Sequence, residues 1–325
     1  MVEIRDKEHY FRLIKDFEYI PYPQTFAWHQ FNTLYKPEST HFYIDSEESP
    51  SIALFGHKKR FLGFKMLLID GECFNNLQVE AKKLTAFFDK IKDTRFDIIE
   101  IDSYSTYNPQ YEIGIRRSGF LRPVGLFSSS FSMLVGLKAG RNYDKNWKQN
   151  LKKAEKFNLS FENSETISSE QIHQFYSLYQ EMLFRKKISD STHINQFLEL
   201  TNQKEFRFCS VRNQNNQMIC AIIYYISQNQ AVDLYRITTL EARTNGASYF
   251  IYDHLFSTLA EIGVQHYDMG RLTPSTHSKD SVYTFKSGAG GQYTIYNGEW
   301  AWYKYAILRP LMYIVKRFLM KRIEV

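Results

Sequence analysis

Short apolar runs with a spacing of two alternate along the chain with stretches where apolar residues recur every three or four positions. The first spacing belongs to half-buried strands, the second to amphipathic helices. Phe42-Tyr43-Ile44-Asp45 and Ser51-Ile52-Ala53-Leu54-Phe55 predict two strands around the polar turn Ser46-Glu47-Glu48-Ser49-Pro50. Phe61 to Ile69 predicts a further strand. From Leu77 to Ile91, Leu77, Leu84, Phe87, Phe88 and Ile91 share one side and Lys82, Lys83 and Lys90 the other, which predicts a helix. Asp97 to Asp102 reads as a strand ending in an acid, and Ser129 to Leu137 as another.

The second half repeats the alternation. A basic helix over Tyr143 to Phe157 leads to a strand at Leu159-Ser160-Phe161-Glu162. A long helix follows from Ser169 to Lys187, entered by Ser168-Ser169-Glu170-Gln171 and carrying Ile172, Phe175, Tyr176, Tyr179, Met182 and Leu183. Strands are predicted at Phe206–Val211, Met218–Ile226 and Ala231–Ile237, then a helix from Gly246 to Ile262 and a strand at Val264–Met269. Helix followed by strands, twice, predicts a mixed α/β (α+β) protein of two similar units. The likeness between the halves is of pattern, not of residues.

The 325 residues match about two domains, and 43% hydrophobic with 23% charged is a globular composition, which excludes a disordered or collagenous chain. No run approaches eighteen uncharged apolar residues, so no membrane span is predicted. The charged start, Met1-Val2-Glu3-Ile4-Arg5-Asp6-Lys7-Glu8, has no apolar core of a signal peptide, and the expected location is the cytoplasm. Cys73, Cys209 and Cys220 are odd in number and lack ligand spacing, which excludes a disulfide framework or a cysteine zinc site. Small buried hydrophobes are their expected role, and no metal is expected.

Common catalytic signatures are absent: there is no G-x-x-x-x-G-K-[ST], no G-x-S-x-G and no H-E-x-x-H. The nine histidines are scattered. Chemistry must then rest on backbone donors, an acid or a lysine. Glu241-Ala242-Arg243-Thr244-Asn245-Gly246-Ala247-Ser248 lies between a strand and a helix. Such an entry exposes backbone N–H groups suited to a phosphate or pyrophosphate, or it is simply a well-capped helix start. Arg243-x-x-Gly246-x-Ser248 approximates the phosphate loop of GNAT acyltransferases, with Ser in its last place. Val282-Tyr283-Thr284-Phe285-Lys286-Ser287-Gly288-Ala289-Gly290-Gly291 sets a lysine beside three glycines. It is either a cation for phosphate, carboxylate or oxyanion, or a glycine-rich hairpin with a solvated lysine.

Tyr267-Asp268-Met269-Gly270 followed by Tyr283-x-Phe285-Lys286-x-Gly288-x-Gly290-Gly291 resembles the C-terminal signature of Fem-type (FemABX) aminoacyltransferases. Pro23-Gln24-Thr25-Phe26-Ala27-Trp28 is similar to their N-terminal Gln-(Ser/Thr)-x-x-Trp. Asn146 to Lys156 is similar to the basic helix opening their second domain, and Phe175-x-x-Leu178-Tyr179-x-x-Met182-x-x-Arg185 to the long helix after it. The resemblance implies two tandem GNAT-like domains, taken as residues 1–138 and 139–308, with a basic C-terminal helix at 309–325. It implies transfer from aminoacyl-tRNA to the peptide of a peptidoglycan precursor, with no bound cofactor. Phe285 and Lys286 would line the transfer channel, Asp102 would match a proposed general base, and Arg185 and Lys36 would contact the precursor's diphosphate, with Asp268 among the substrate contacts. The arginine-glycine-proline stretch of the first domain is absent, Ile69-Asp70-Gly71-Glu72 standing near its place, and no coiled-coil insertion interrupts the second. The expected activity is therefore a single addition, or transfer from acyl-CoA with Arg243, Gly246, Ala247 and Ser248 as the donor's cradle and an amino sugar or polysaccharide precursor as acceptor. A non-catalytic GNAT-like module binding membrane or RNA is the reading from another class.

The net charge of +6 is concentrated. Residues 141–156 hold six basic against two acidic side chains, residues 309–325 five against one, and the rest of the chain is slightly acidic. Lys145, Lys148, Lys152 and Lys156 fall on one helical stripe, either solvated or facing phosphates such as those of charged tRNA. In the tail, Leu311, Met312, Val315, Phe318, Leu319 and Ile323 share an arc opposite Lys316, Arg317 and Lys321, with Trp300, Trp302, Tyr303 and Tyr305 before it. This is an interfacial helix on an anionic membrane, or a terminal helix closing the core. The first would put the protein peripherally on the inner face of the membrane, beside a nucleotide- or lipid-linked cell-envelope precursor.

Overall fold

The computed structural model describes residues 1–35, 39–123, 129–138, 141–227, 229–273 and 281–319. The chain forms β1 (Val2–Ile4), α1 (Lys7–Ile14), α2 (Phe26–Thr33), β2 (Thr40–Ile44), β3 (Ile52–Phe61), β4 (Phe64–Asp70), β5 (Cys73–Phe74), α3 (Ala81–Lys92), β6 (Ile98–Thr106) and α4 (Pro109–Arg117). Then come β7 (Phe131–Gly136), α5 (Lys145–Ala154), β8 (Ser160–Ser164), α6 (Ser169–Lys186), α7 (Ile194–Thr201), β9 (Phe206–Arg212), β10 (Met218–Ser227), β11 (Gln230–Thr238), α8 (Leu240–Asn245), α9 (Ala247–Glu261), β12 (His266–Arg271) and α10 (Ser281–Ser287). The long β13 (Gln292–Tyr303) and α11 (Leu308–Ile314), continued by a π turn at Val315–Leu319, end the described chain.

Two compact units result: unit 1 is Met1–Ser130 with Ile295–Val325, and unit 2 is Phe131–Thr294. This division differs from one at 138/139 and 308/309. Its cause is β13, whose residues from Tyr296 to Tyr303 pair antiparallel with β6 and return the chain to unit 1. Trp300, Trp302 and Tyr303 are thus strand residues, Trp300 fully buried, and not the aromatic lead of an interfacial helix.

In unit 1 the strand order is β1-β2-β3-β4-β6-β13, with β5 beside β3. Only β4 and β6 run parallel, in register from Met66/Ile98 to Asp70/Asp102. Leu67, Ile69, Ile99, Ile101 and Trp300 pack on one face with Leu84, Phe88 and Ile91 of α3 and Ile115 of α4. The opposite face meets Tyr10 and Ile14 of α1 at one end and Leu308 and Met312 of α11 at the other. The single strand expected over Phe61–Ile69 is a hairpin instead. Leu62 and Gly63 both take positive φ, the two-residue turn that suits the twist of antiparallel strands. The Gln24-Thr25-x-x-Trp28 motif has a local explanation here. Fully buried Gln24 donates to the carbonyls of Phe55 and Asp70 at 3.0 Å each and accepts from the Phe55 N–H at 2.8 Å. Thr25 caps α2 by accepting from the Trp28 N–H.

Unit 2 has the order β7-β12-β11-β10-β9-β8, again with one parallel pair, β11 and β12. Cys220, Ile222 and Tyr224 pack with Trp147 of α5 and Ile251, Tyr252 and Leu255 of α9. The other face packs Tyr235 and Phe208 edge-to-face against Phe175 and Tyr179 of α6 and Phe197 of α7. Ser168 and Gln171 form a capping box at the start of α6. The three cysteines are free and buried.

The tail departs from its predicted wheel. Lys316, expected on the solvent arc, is fully buried and donates to Glu100 Oε1 at 3.0 Å, while Leu308, Met312 and Val315 face the core of unit 1. Removing one member of a buried ion pair strands the other charge. Lys316→Ala should therefore cost about 3 kcal/mol of stability in urea unfolding. The pair Lys316→Met with Glu100→Gln should recover most of that loss.

Candidate functional site

The parallel pairing of β11 with β12 lasts only from Gln230/His266 to Val232/Asp268. Beyond it β11 follows β10 as far as Thr238, whereas β12 follows β7 with a register shift between Asp268 and Arg271. The two strands diverge and open a wedge whose backbone groups have no ladder partner across it. Gly270 stands at the divergence with φ of 80°, a conformation that favours glycine.

Lys286 fills this wedge. From α10 its Nζ donates to the carbonyls of Gly270 and Arg271 at 3.0 Å each, and the residue is 8% exposed. An ammonium has three N–H donors, so one remains for another partner. Burial pushes the Lys286 ammonium below its usual range, Asp233 pulls it back, and Arg236 and Asp268 act in opposite senses. Asp268 accepts from Ser132 Oγ and from the Gly270 N–H at 2.8 Å, which fixes the turn that presents those carbonyls. Phe285 turns the other way, its ring centroid 4.7 Å from Trp147, 5.0 Å from Tyr249 and 5.6 Å from Tyr252.

The glycines after Lys286 serve close packing, and the segment is a helix and turn where a hairpin was one of the expectations. A Cβ on Gly288 would lie 2.8 Å from Asp144 Oδ2, one on Gly291 2.7 Å from the Leu134 carbonyl, and one on Gly290 against the Asn142 carbonyl. Asp144 in turn caps α5 by accepting from the Trp147 N–H. The basic helix and the Phe285-Lys286 segment are thereby tied together within unit 2. Lys145, Lys148, Lys152 and Lys156 are exposed, as the helical wheel required, with Trp147 and Ala154 buried.

A second cationic group gathers at the far end of β11. Arg185 Nη2 donates to the Thr238 carbonyl at 2.8 Å, and its buried Nε has no partner. Lys186 is held below its ordinary range, first by partial loss of water and then by Arg236, Arg243 and Arg185. Four cations therefore share one region. The open loop expected at 241–248 is instead the kink between α8 and α9. Gly246 and Ala247 are buried, and a Cβ on Gly246 would come within 2.6 Å of the Asn150 carbonyl. The start of α9 is packed against α5 and offers no open cradle there; Arg243 remains exposed and Ser248 is half-buried.

Asp102 lies in unit 1. The strand registers set it between Asp70 of β4 and Glu299 of β13, in a row that borders a cavity of about 410 Å³ also lined by Glu100, Met312 and Val315. Lys36 falls outside the described residues. Among the described residues no group of His, Cys, Asp or Glu is arranged to hold a metal ion.

Sequence reasoning missed Asp233, Arg236 and Tyr252. Strict alternation puts Asp233 and Arg236 on opposite faces of β11. The register runs from Ile223/Tyr235 to Tyr224/Asp233, so Leu234 bulges out and the two come to one face. There Asp233 Oδ2 accepts from Tyr252 OH, to which Arg236 Nη1 donates at 3.0 Å. An acid and an arginine three residues apart inside an apolar strand were the one visible signal.

No family model and no curated protein matches the sequence. Solved structures do match its fold. FemX superimposes with a TM-score of 0.75 at 13% identity, over 96% of this chain and 100% of that one. L-PGS from Bacillus licheniformis gives 0.65 at 11% identity over 98% and 97%. A tandem GNAT protein from the clavulanic acid biosynthesis pathway gives 0.50 at 9% identity over 94% and 98%. The chain has the two-domain GNAT-like fold of the FemABX/GNAT type.

Proposed function

We propose that the protein is an acyl- or aminoacyltransferase that acylates an amine of a cell-envelope precursor. The observation that carries this reading is Lys286, buried between diverging strands with one N–H to spare. The amine nitrogen attacks the ester or thioester carbonyl, a C–N bond forms, and the carbonyl electrons move to oxygen. Lys286 donates to that oxyanion at a site largely removed from water, where such a bond counts most. Collapse breaks the bond to the leaving oxygen or sulfur. The amine proton passes to a carboxylate or to water. Holding both reactants in place supplies much of the acceleration, and no covalent enzyme intermediate is required.

The lysine stripe of α5 favours aminoacyl-RNA as donor, because Trp147 on the same helix packs against Phe285 beside Lys286. Arg243 speaks for acyl-CoA, but the packed start of α9 speaks against a pyrophosphate at Gly246 and Ala247. Arg185, with Lys186, Arg236 and Arg243, suits a diphosphate on the acceptor. A membrane surface is proposed as partner of the exposed side of α11. Ile307, Ile314 and Phe318 are 69%, 52% and 65% exposed, and Arg309 and Arg317 stand near them in sequence. Among the described residues no helix is long and apolar enough to cross a membrane.

Lys286→Ala should lower transfer about 10²- to 10³-fold, measured by mass spectrometry with charged tRNA or acetyl-CoA as donor and an amine-bearing muropeptide as acceptor. Transfer at the wild-type rate would remove Lys286 from the mechanism. Lys148→Glu with Lys152→Glu should weaken RNA binding and flatten its dependence on salt, with unfolding unchanged. Ile314→Glu with Phe318→Glu should abolish co-sedimentation with phosphatidylglycerol vesicles. These substitutions leave the core contacts of α11 intact, so unchanged binding would exclude this face.

A further inference from the structure

We propose that Asp233 is a positioning residue for Lys286: its carboxylate, fixed by Tyr252, is the counter-ion that keeps Lys286 an ammonium in the wedge of unit 2. The proposal rests on the role given to Lys286 above and specifies which protonation state performs it. The bulge at Leu234 is the structural device, because it turns Asp233 toward α9, where strict alternation would have left it on the other face. A Cβ on Gly270 would lie 3.5 Å from Lys286 Nζ and 3.8 Å from the Asp233 carbonyl oxygen, which sets this point of β11 beside the ammonium. Asp233 Oδ2 is held by Tyr252 OH, and the same hydroxyl is held by Arg236 Nη1 at 3.0 Å. Asp233 Oδ1 is out of contact with water and has no hydrogen-bond partner among the described residues. A buried carboxylate oxygen without a donor is costly, and it persists here among cations that answer its charge.

The groups facing Asp233 are Arg236 on its own strand, Tyr252 of α9, Tyr267 and Asp268 of β12, Cys209 of β9, Cys220 of β10 and Lys286 of α10. Two carboxylates and two cations thus balance in one buried neighbourhood. Burial pushes the Asp233 carboxyl up, while Arg236, the Tyr252 hydroxyl and Lys286 pull it down. Burial likewise opposes the charge of Arg236, yet Tyr252 and Asp233 hold its guanidinium above its ordinary range. If Asp233 loses its charge, Lys286 keeps Asp268 as counter-charge, while Arg236, which does not give up its proton, still opposes it. Lys286 would then release its proton to solvent at a lower pH, and the neutral amine is a poorer partner for an oxyanion. The same carboxylate orders the neighbouring ring, because the Arg236 guanidinium that it helps to hold lies 5.3 Å from the centroid of Phe285.

The test is NMR titration of the lysine side-chain nitrogens in ¹⁵N-lysine-labelled full-length protein, with Lys286 assigned by the signal lost in Lys286→Arg. In the wild type, Lys286 should titrate above pH 7; a midpoint at or below neutrality would overturn the proposal, and this measurement needs no variant at Asp233. In Asp233→Asn the midpoint should fall by about one unit or more, and an unmoved midpoint would also overturn it. Neither readout depends on transfer activity, so the proposal and the assigned function can fail separately. Where transfer is measurable, the alkaline limb of kcat should move to lower pH in Asp233→Asn and return in Asp233→Glu. An equal loss of kcat at every pH would mark Asp233 as merely structural.

Discussion

A lysine ammonium carried into a protein interior must find acceptors and counter-charge there, or give up its proton. Unit 2 meets that demand with backbone that the sheet has released. Where β11 and β12 part, the carbonyls of Gly270 and Arg271 lose their place in a ladder and become the acceptors of Lys286. The positive φ of Gly270 aims them, Asp268 fixes the turn through the Gly270 N–H, and the bulge at Leu234 brings Asp233 and Arg236 alongside. The glycines at 288, 290 and 291 allow the segment bearing Lys286 to lie against residues 134 and 142–144 closely enough to reach in. Each feature is local, and all of them serve one side chain.

The parallel pair of unit 1 behaves differently. β4 stays in register with β6 to its own end at Asp70, and the end of that pair carries carboxylates, Asp70 and Asp102, with Glu299 on the neighbouring strand. The two units share a plan of one parallel pair in a sheet covered by helices on both faces. What each does with the end of that pair differs: a buried cation in unit 2, a row of acids beside a cavity in unit 1.

Long periodic elements were legible from sequence because their burial is regular. α6, α9 and strands β9 to β12 begin and end within a few residues of the hydrophobic pattern, and the capping box at Ser168 and Gln171 fixed the start of α6. Lys286 and Phe285 were legible as a pair, since aromatic, lysine and glycine stand together in few other contexts. The short helices α1, α2 and α4 were not anticipated, having only two or three buried positions each. The path of β13 was hidden because its pairing with β6 is a contact across almost two hundred residues. Burial of Lys316 was hidden for the same reason: a helical wheel sees polarity, and the answering Glu100 lies far away in sequence. Asp233 and Arg236 escaped because one bulged residue reverses the parity on which strand reading depends.

The central claim is that the donor's carbonyl end enters the wedge of unit 2 while its phosphates lie along α5. Hydrogen–deuterium exchange on the full chain, with and without a short RNA hairpin carrying a non-hydrolysable 3′-amide-linked amino acid, addresses both halves of that claim at once. The account predicts slower exchange in residues 145–156 and 281–291 when the aminoacylated hairpin is added. With the uncharged hairpin, slowing should be confined to 145–156. Exchange unaltered in both segments, at a hairpin concentration that saturates binding, would contradict it.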